Sequence, residues 1–161
     1  MIWVIIIITA LSGLIATIIY TLAEFIDRKI RGGLKNFAYA LLVSKIIRKD
    51  VIFLTETEKK VYDGLGQLLY GIIWSAPIPL LFFFIQPTTG GALTGLVLLY
   101  FLIFLILDAV IFSSLKILPP LRAIPKREIV SSVVTKLIYC LAGVFTFIII
   151  AYLYISPLIA P

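Results

Sequence analysis

Four long apolar stretches constrain the fold of this chain more than any other feature of its sequence. They cover about residues 2–26, 66–85, 92–112 and 133–155, and each has the roughly 20 residues that a helix needs to cross a bilayer. Hydrophobic residues make up 62% of the chain and charged residues 14%, against roughly 45–50% and 25% in soluble domains. The sequence therefore predicts an all-α integral membrane protein, organised as a single transmembrane helical domain over residues 1–161.

The positive charges fall in two of the segments between the apolar stretches. All 14 Lys and Arg residues lie within residues 27–66 or 113–136. Because such residues accumulate in cytoplasmic loops, we expect loops 27–65 and 113–132 to face the cytoplasm and both termini to lie outside a cytoplasmic (plasma) membrane. This topology accounts for the net charge of +6 without nucleic-acid binding. The residues of these basic loops that we single out are Arg28, Lys29, Arg31, Arg122, Lys126 and Arg127.

A short amphipathic segment separates the first two apolar stretches. Asn36 can cap a helix over residues 37–49, which is too short and too basic at its end to cross a bilayer. We expect this helix to lie in the membrane interface. Further along, Thr55 and Glu58 have the spacing of a capping box, which predicts the start of another short helix.

Three ionisable residues lie in or beside the predicted spans. Asp108 is either a proton relay or ion site, or one half of an ion pair with Lys116 or Lys136 near the interface. Glu24 is either a half-buried proton acceptor or a surface ion pair with Arg28 at i+4. Lys136, in the predicted first turn of the last span, is a snorkelling anchor or a partner of Glu128 or Asp108. These three residues are the candidates for a proton or ion path.

Two further features bear on how the helices bend and pack. Pro77 and Pro79 lie within the second span, where each removes a backbone donor. They predict a kink for packing or a broken helix of the kind that lines transporter sites. Ala10, Gly13 and Thr17 place small residues on one face of the first span. Such a face suits close helix contact, either within the chain or with another subunit.

The sequence offers little material for catalysis. It contains no His and a single Cys, Cys140, which removes the commonest general acid/base and any internal disulfide. It also lacks a nucleophile–base pair, a phosphate-binding Gly loop and a cluster of metal ligands. We therefore predict no catalytic residues, no metal site and no cofactor, and expect Cys140 to be a packing residue.

Several short motifs resemble a known family of membrane subunits. Asp27-Arg28-Lys29-Ile30 follows the first span, an amphipathic segment runs over residues 39–50, and Ala76-Pro77 and Leu121-Arg122-Ala123 come later. In this order they resemble the H-type membrane subunit of complex I and of membrane-bound energy-converting hydrogenases. The family's Gln-x-Arg-x-Gly-Pro segment is absent. The motifs that are present imply that the chain is a small membrane subunit of such a complex, as in an archaeal energy-converting hydrogenase.

Two functional hypotheses follow. The first is an accessory subunit of a multi-subunit redox-driven ion-translocating complex. It would contact the lipid bilayer and other membrane subunits, dock a peripheral cytoplasmic module, and offer Asp108 or Glu24 to a proton path. The alternative is a small transporter or channel that must oligomerise, because four helices are few. In that case Asp108 and the Pro-containing second span would form its site.

Overall fold

The fold is entirely helical in the part of the chain that the structure describes. A computed structural model of the protein describes residues 2–31, 38–48, 53–115, 117 and 124–159. These residues form the α-helices α1 (Ile2–Arg31), α2 (Ala38–Ile46), α3 (Glu56–Ser75), α4 (Pro77–Ile85), α5 (Gly90–Ser114) and α6 (Lys126–Ile159). The predicted all-α class is thereby confirmed.

Four helical segments in the described ranges are long and apolar enough to cross a membrane. They are Ile2–Ile30, Glu56–Ile85, Gly90–Ser114 and Lys126–Tyr154, and each exceeds the ~20 residues that a bilayer requires. The chain is therefore a multi-pass membrane protein with lipid-facing helices. Which membrane it occupies and which side its termini face stay predictions.

Two of the spanning helices begin earlier than their apolar stretches do. The second helical segment starts at Glu56 instead of residue 66, and α6 starts at Lys126 instead of residue 133. The capping box at Thr55 is confirmed, since its side chain accepts the Glu58 N–H, but it opens a long helix and not a short one. A hydropathy pattern does not detect these turns, because a helix can continue beyond its apolar part through polar residues.

Most of the predicted basic loop residues therefore lie in helices. Arg28, Lys29 and Arg31 fall in the last turns of α1, and Lys126 and Arg127 open α6. Arg122 lies outside the described residues. The backbone hydrogen bonds of a helix do not depend on apolar side chains, and Lys and Arg are good helix formers. The charged ends of α1 and α6 are thus extensions of the spanning helices.

Neighbouring helices run in alternating directions. Along α1 and α3, Gly13 faces Ser75 and Thr17 faces Gly71, so the two helices are antiparallel. The same holds for α5 and α6, where Asp108 contacts Lys136 and the earlier Phe104 contacts the later Tyr139. We call the end of the bundle where α1 and α5 finish and α3 and α6 begin the polar end, and the opposite end the apolar end.

Helices α1 and α3 approach each other closely through small residues. A Cβ added to Gly71 would lie 1.7 Å from the Thr17 hydroxyl oxygen, and one added to Gly13 would lie 2.8 Å from the Gly71 carbonyl oxygen. Gly13 and Thr17 of the predicted small-residue face thus make an internal contact. Ala10 is half-buried on the same helix. On another face of α1, fully buried Ala16 lies against Gly143 of α6.

The second span is divided into two helices at its prolines. Helix α3 ends at Ser75, Ala76 stays in the right-handed helical region, and Pro77 opens α4. The Ile73 carbonyl accepts the Ala76 N–H at 3.1 Å, and the Trp74 carbonyl accepts the Tyr100 hydroxyl at 2.6 Å. Pro77 therefore stands at the break between α3 and α4, Pro79 lies within α4, and a hydroxyl from α5 bonds a carbonyl beside the break.

Helix α2 packs against the start of α3. A Cβ added to Gly66 would lie 3.0 Å from the Tyr39 carbonyl, so the two backbones are in close contact. Asp63 of α3 accepts a hydrogen bond from the Ala40 N–H near the first turn of α2, where a carboxylate is favourable. Asn36, the predicted cap, lies outside the described residues. Helix α2 is thus held over the polar end of the bundle.

Candidate functional site

Asp108 lies on the buried face of α5. Tyr100, Phe104 and Phe112 share this face at intervals of four residues, and all of them are nearly inaccessible. Asp108 is 3% exposed, less than two turns before the end of the helix at Ser114. The periodicity of α5 therefore turns this carboxylate into the bundle interior and away from lipid.

Lys136 of α6 is the cationic partner of Asp108. Its ammonium nitrogen contacts Asp108 Oδ2 as an ion pair, and the two side chains are 14% and 4% exposed. Lys136 lies in the third turn of α6, deeper along its helix than the predicted position in a first turn. The ammonium also lies 6.0 Å from the centre of the Phe104 ring, within the range of a cation–π contact.

A third group, Tyr70 of α3, binds the other oxygen of the same carboxylate. Its hydroxyl donates to Asp108 Oδ1 at 2.6 Å, the length of a charge-assisted O–H···O⁻ bond. Asp108 thus holds an ammonium on one oxygen and a phenol on the other. Helices α3, α5 and α6 each contribute one member of this triad, which we call the Asp108 triad.

Aromatic rings surround the triad. Tyr70 packs edge-on against Trp74 and Phe112, and Phe104 lies 4.9 Å from Trp74 between ring centres. Tyr39 of α2 packs against Tyr70 at 5.5 Å. These rings cover much of the ion pair, so its electrostatic attraction acts in surroundings of lower dielectric constant than water.

Burial also affects Tyr39, which α2 presents to this site. It raises the pKa of the Tyr39 phenol well above its usual value of 10.0, and the nearby Tyr20 and Asp108 raise it further. The phenol therefore stays protonated at any physiological pH. Tyr39 can donate a hydrogen bond toward the site but cannot act there as an anion.

Glu24 lies near the polar end on α1 with two partners. Its carboxylate pairs with Arg28 at 2.7 Å and accepts a hydrogen bond from Gln67 of α3 at 3.5 Å. The Glu24 and Arg28 side chains are 25% and 19% exposed. The i+4 pair predicted with Arg28 is present, and it is half-buried. Glu24 thus contacts the buried Gln67 on one side and the partly exposed Arg28 on the other.

A small cavity lies between the Glu24–Gln67 contact and the Asp108 triad. Its volume is about 10 Å³, close to the smallest space that holds one water molecule. Polar side chains from α1, α2 and α3 reach it. The lining residues are Thr17, Tyr20, Tyr39, Gln67, Tyr70, Gly71, Phe104 and Tyr139. The hydroxyls of Thr17, Tyr70 and Tyr139 already bond other groups.

The structure brings together only part of the predicted set. Asp108 and Lys136 are in direct contact, whereas Glu24 bonds Gln67, which lines the cavity together with Tyr70. The small residues of α1 and the two prolines belong to helix contacts and to the break between α3 and α4. Lys29, Lys126 and Arg127 are exposed at the polar end. Cys140 is fully buried as a free thiol, as expected of a packing residue.

The sequence reasoning missed three polar members of the site, all on α3. Asp63, Gln67 and Tyr70 are each less than 9% exposed. They recur at intervals of four and three residues and so share one helical face with Trp74. That spacing was visible in the sequence, but the apolar window of the second span began after Asp63.

Metal-binding chemistry has no cluster to support it in the described ranges. Within them, no group of three or more His, Cys, Asp or Glu side chains could hold a metal ion. The carboxylates at the polar end have other partners, including Arg28 for Glu24, Lys136 for Asp108 and the Ala40 N–H for Asp63.

No family model, curated protein or solved structure matches this chain.

Proposed function

We propose that this chain is an accessory integral-membrane subunit of a multi-subunit, redox-driven ion-translocating complex of the energy-converting hydrogenase or complex I type. It anchors the assembly through its helices and contributes the Asp108 triad to a proton path. The observation that supports this most is the buried ion pair of Asp108 and Lys136 inside a membrane-spanning bundle.

The energetics of that pair favour a functional role over a purely structural one. Removing two charges from water is expensive, and a buried ion pair is often no more stabilising than packed hydrocarbon. The neighbouring turns of α5 and α6 are filled by aromatic and aliphatic side chains, so apolar residues would serve packing alone. An ionisable residue inside a membrane span is therefore best treated as a functional site.

The triad has the parts of a proton-accepting site. Asp108 Oδ1 already accepts the Tyr70 hydroxyl proton as a hydrogen bond. When a transported proton reaches a water in the adjacent cavity, that water can protonate the Tyr70 oxygen as Tyr70 passes its own proton to Asp108, and the water is left neutral. The carboxylate then becomes neutral, and its attraction for Lys136 falls. In this scheme proton arrival is coupled to the position of the Lys136 ammonium.

The proposal that the chain belongs to a larger complex rests on the resemblance and on the contacts of Asp27 and Arg28, two residues of the acidic-Arg-Lys motif. Asp27 accepts a hydrogen bond from Ser131 of α6, and Arg28 pairs with Glu24. The acidic-Arg-Lys signature thus stabilises the polar end, close to the candidate site. A redox module bound there would act on the triad across one or two helical turns.

The direct test is to identify what accompanies the chain in its native membrane. We expect gentle solubilisation followed by affinity capture to recover hydrogenase-type or ferredoxin-type subunits in fixed ratio. The Asp108→Asn variant should recover the same subunits, because the triad serves ion movement and not assembly. Recovery of the chain only with copies of itself would overturn the proposal and favour the oligomeric transporter or channel.

A further inference from the structure

The indole N–H of Trp74 is a buried hydrogen-bond donor that has no partner. Trp74 is 6% exposed, and within the part of the chain that the structure describes nothing accepts a hydrogen bond from its Nε1. Buried polar groups in folded proteins are nearly always hydrogen-bonded, because an unpaired buried donor destabilises the fold. A phenylalanine ring would pack here without that penalty, so packing alone does not explain a tryptophan at this position.

This N–H lies beside Tyr70, the member of the Asp108 triad that carries a proton. Tyr70 precedes Trp74 by four residues on the same face of α3, and their rings meet edge-on with centres 5.7 Å apart. The Tyr70 hydroxyl lies close enough to interact with the N–H, but the two groups do not form a complete hydrogen bond. The Tyr70 proton is donated to Asp108 Oδ1, and a phenol oxygen can still accept while its proton is donated.

Contacts with α5 hold Trp74 in this position. The Tyr100 hydroxyl donates to the Trp74 carbonyl at 2.6 Å, and the centre of the Phe104 ring lies 4.9 Å from that of Trp74. Both residues lie on the face of α5 that also carries Asp108. The indole N–H is therefore kept beside the Tyr70 oxygen by the same helix that supplies the carboxylate.

We propose that the Trp74 N–H completes a hydrogen bond to the Tyr70 oxygen when Tyr70 passes its proton to Asp108. This inference rests on the proposed function. As the Tyr70 O–H bond breaks and the Asp108 Oδ1–H bond forms, the electron pair stays on the Tyr70 oxygen until the proton from the cavity water arrives. A donor placed beside that oxygen stabilises the developing charge, and such hydrogen bonds often tighten only during the reaction. Trp74 is thus a positioning residue that acts on Asp108 through Tyr70.

The first test is proton flux into vesicles that contain the native complex. Trp74→Phe removes the N–H and keeps an aromatic ring, and we expect it to lower the flux about tenfold, the scale of one hydrogen bond to a group that gains charge. Trp3→Phe is the control, because Trp3 is 76% exposed, and it should leave the flux unchanged. The solvent isotope effect on the flux should rise in Trp74→Phe, since the proton step becomes slower. A purely structural loss would lower the amount of active complex and leave the isotope effect unchanged.

This test distinguishes the inference from the proposed function. Loss of flux in Asp108→Asn together with unchanged flux in Trp74→Phe would overturn the role of Trp74 alone. Unchanged flux in both variants would overturn the proposed function. A loss of flux in Trp74→Phe without a rise in the isotope effect would show that Trp74 serves only packing.

A second measurement needs neither the complex nor ion flux. The chain contains two tryptophans, Trp3 and Trp74, so isotope labelling of the indole nitrogens gives two N–H signals in nuclear magnetic resonance spectra of the chain in micelles. A fluorinated tyrosine in place of Tyr70 has a more acidic phenol, which moves the shared proton toward Asp108 and negative charge onto the phenol oxygen. We expect the Trp74 proton signal to shift downfield and the Trp3 signal to stay in place.

The same fluorinated residue in place of Tyr152, which is 72% exposed, is the matched control and should move neither signal. An unshifted Trp74 signal in the chain with the fluorinated residue at position 70 would show that the N–H does not respond to charge on the phenol oxygen, and it would overturn the inference. If Trp74→Phe fails to fold or assemble, this signal decides alone, because it is measured with Trp74 in place.

Discussion

The two halves of the bundle are built from the same helices but bury different chemistry. The apolar half is filled by hydrocarbon side chains, and its buried hydroxyls bond to nearby helix carbonyls, as Ser12 does to Ile8. The polar half buries ionisable and amide side chains. The buried apolar residues of the apolar half are Ile8, Ile78, Leu96, Val144 and Phe147. The buried polar residues of the polar half are Asp63, Gln67, Tyr70 and Asp108.

This difference shows where packing is a sufficient explanation and where it is not. Hydrocarbon side chains between membrane helices need only to fit closely, as Gly13 and Thr17 allow at the contact of α1 and α3. A carboxylate or an ammonium in the same surroundings destabilises the bundle unless it is paired. The polar half therefore depends on specific partners, and perturbing those partners distinguishes the two halves.

The largest effect is expected from Lys136→Met, which removes the cation and leaves Asp108 buried without it. We expect the free energy of unfolding to fall by about 3–5 kcal/mol. Lys59→Met is the control, because Lys59 pairs with Glu56, which is 71% exposed. That exposed pair should contribute less than about 1 kcal/mol. Reversible unfolding in mixed detergent micelles, followed by circular dichroism, measures both.

Adding Asp108→Leu to Lys136→Met tests the reason for that loss. If the unpaired carboxylate causes it, the double variant should regain most of the stability, since apolar replacements of buried pairs are often neutral. A double variant as unstable as the single one would show that Lys136 acts through packing.

A smaller effect is expected from Tyr70→Phe, which removes the hydroxyl that donates to Asp108. Hydrogen bonds to charged groups contribute about 1.5–3 kcal/mol, so the variant should lose stability in that range. The control is Tyr100→Phe, whose hydroxyl donates to the neutral Trp74 carbonyl at 2.6 Å and should contribute about 0.5–1.5 kcal/mol. Equal losses in the same micelle assay would argue against an ionised Asp108 beside Tyr70.

The contact between α1 and α3 gives a comparable test of packing. Gly71→Ala introduces a Cβ that meets Thr17, and such overpacking should destabilise the chain by about 1–3 kcal/mol. Gly95→Ala is matched to it, because nothing lies within 4 Å of a Cβ at Gly95. That change should be neutral or slightly stabilising, since Ala favours a helix. A harmless Gly71→Ala would mean that α1 and α3 are not in close contact.

The smallest effect is expected at the aqueous start of α3. Thr55→Ala removes the capping side chain that accepts the Glu58 N–H and should destabilise the helix start by about 1 kcal/mol. Hydrogen exchange should rise over the first turn of α3 and stay unchanged at Trp74. Faster exchange throughout α3 would show that the polar start and the spanning part unfold together.

Local features of this fold could be predicted from the sequence because they depend on neighbouring residues. The apolar stretches indicated four spans, the spacing of Thr55 and Glu58 indicated a capping box, and Pro77 indicated a bend. Each of these features depends on residues that belong to one continuous segment of the sequence. The helix starts at Glu56 and Lys126 were missed because polar turns of a helix carry no hydropathy signal.

The composition of the site could not be predicted in the same way. Asp108 and Lys136 were named because ionisable residues in a span are rare, and their ion pair, which the structure shows, was one of the predicted alternatives. Tyr70 is 38 positions from Asp108, and Ala40 is 23 positions from Asp63. Such contacts depend on how α2, α3 and α5 pack, which helical periodicity within one segment does not determine. Tyr70 and Gln67 therefore became visible only once the helices were assembled.

We propose that Asp108 accepts a proton during turnover. The most direct measurement compares proton flux into vesicles that contain the native complex with flux after Asp108→Asn, using a pH-sensitive dye under an imposed potential. Glu56→Gln is the matched control, since it neutralises an exposed carboxylate. We expect at least a tenfold loss of flux for Asp108→Asn and none for Glu56→Gln. Unchanged flux in Asp108→Asn would contradict it.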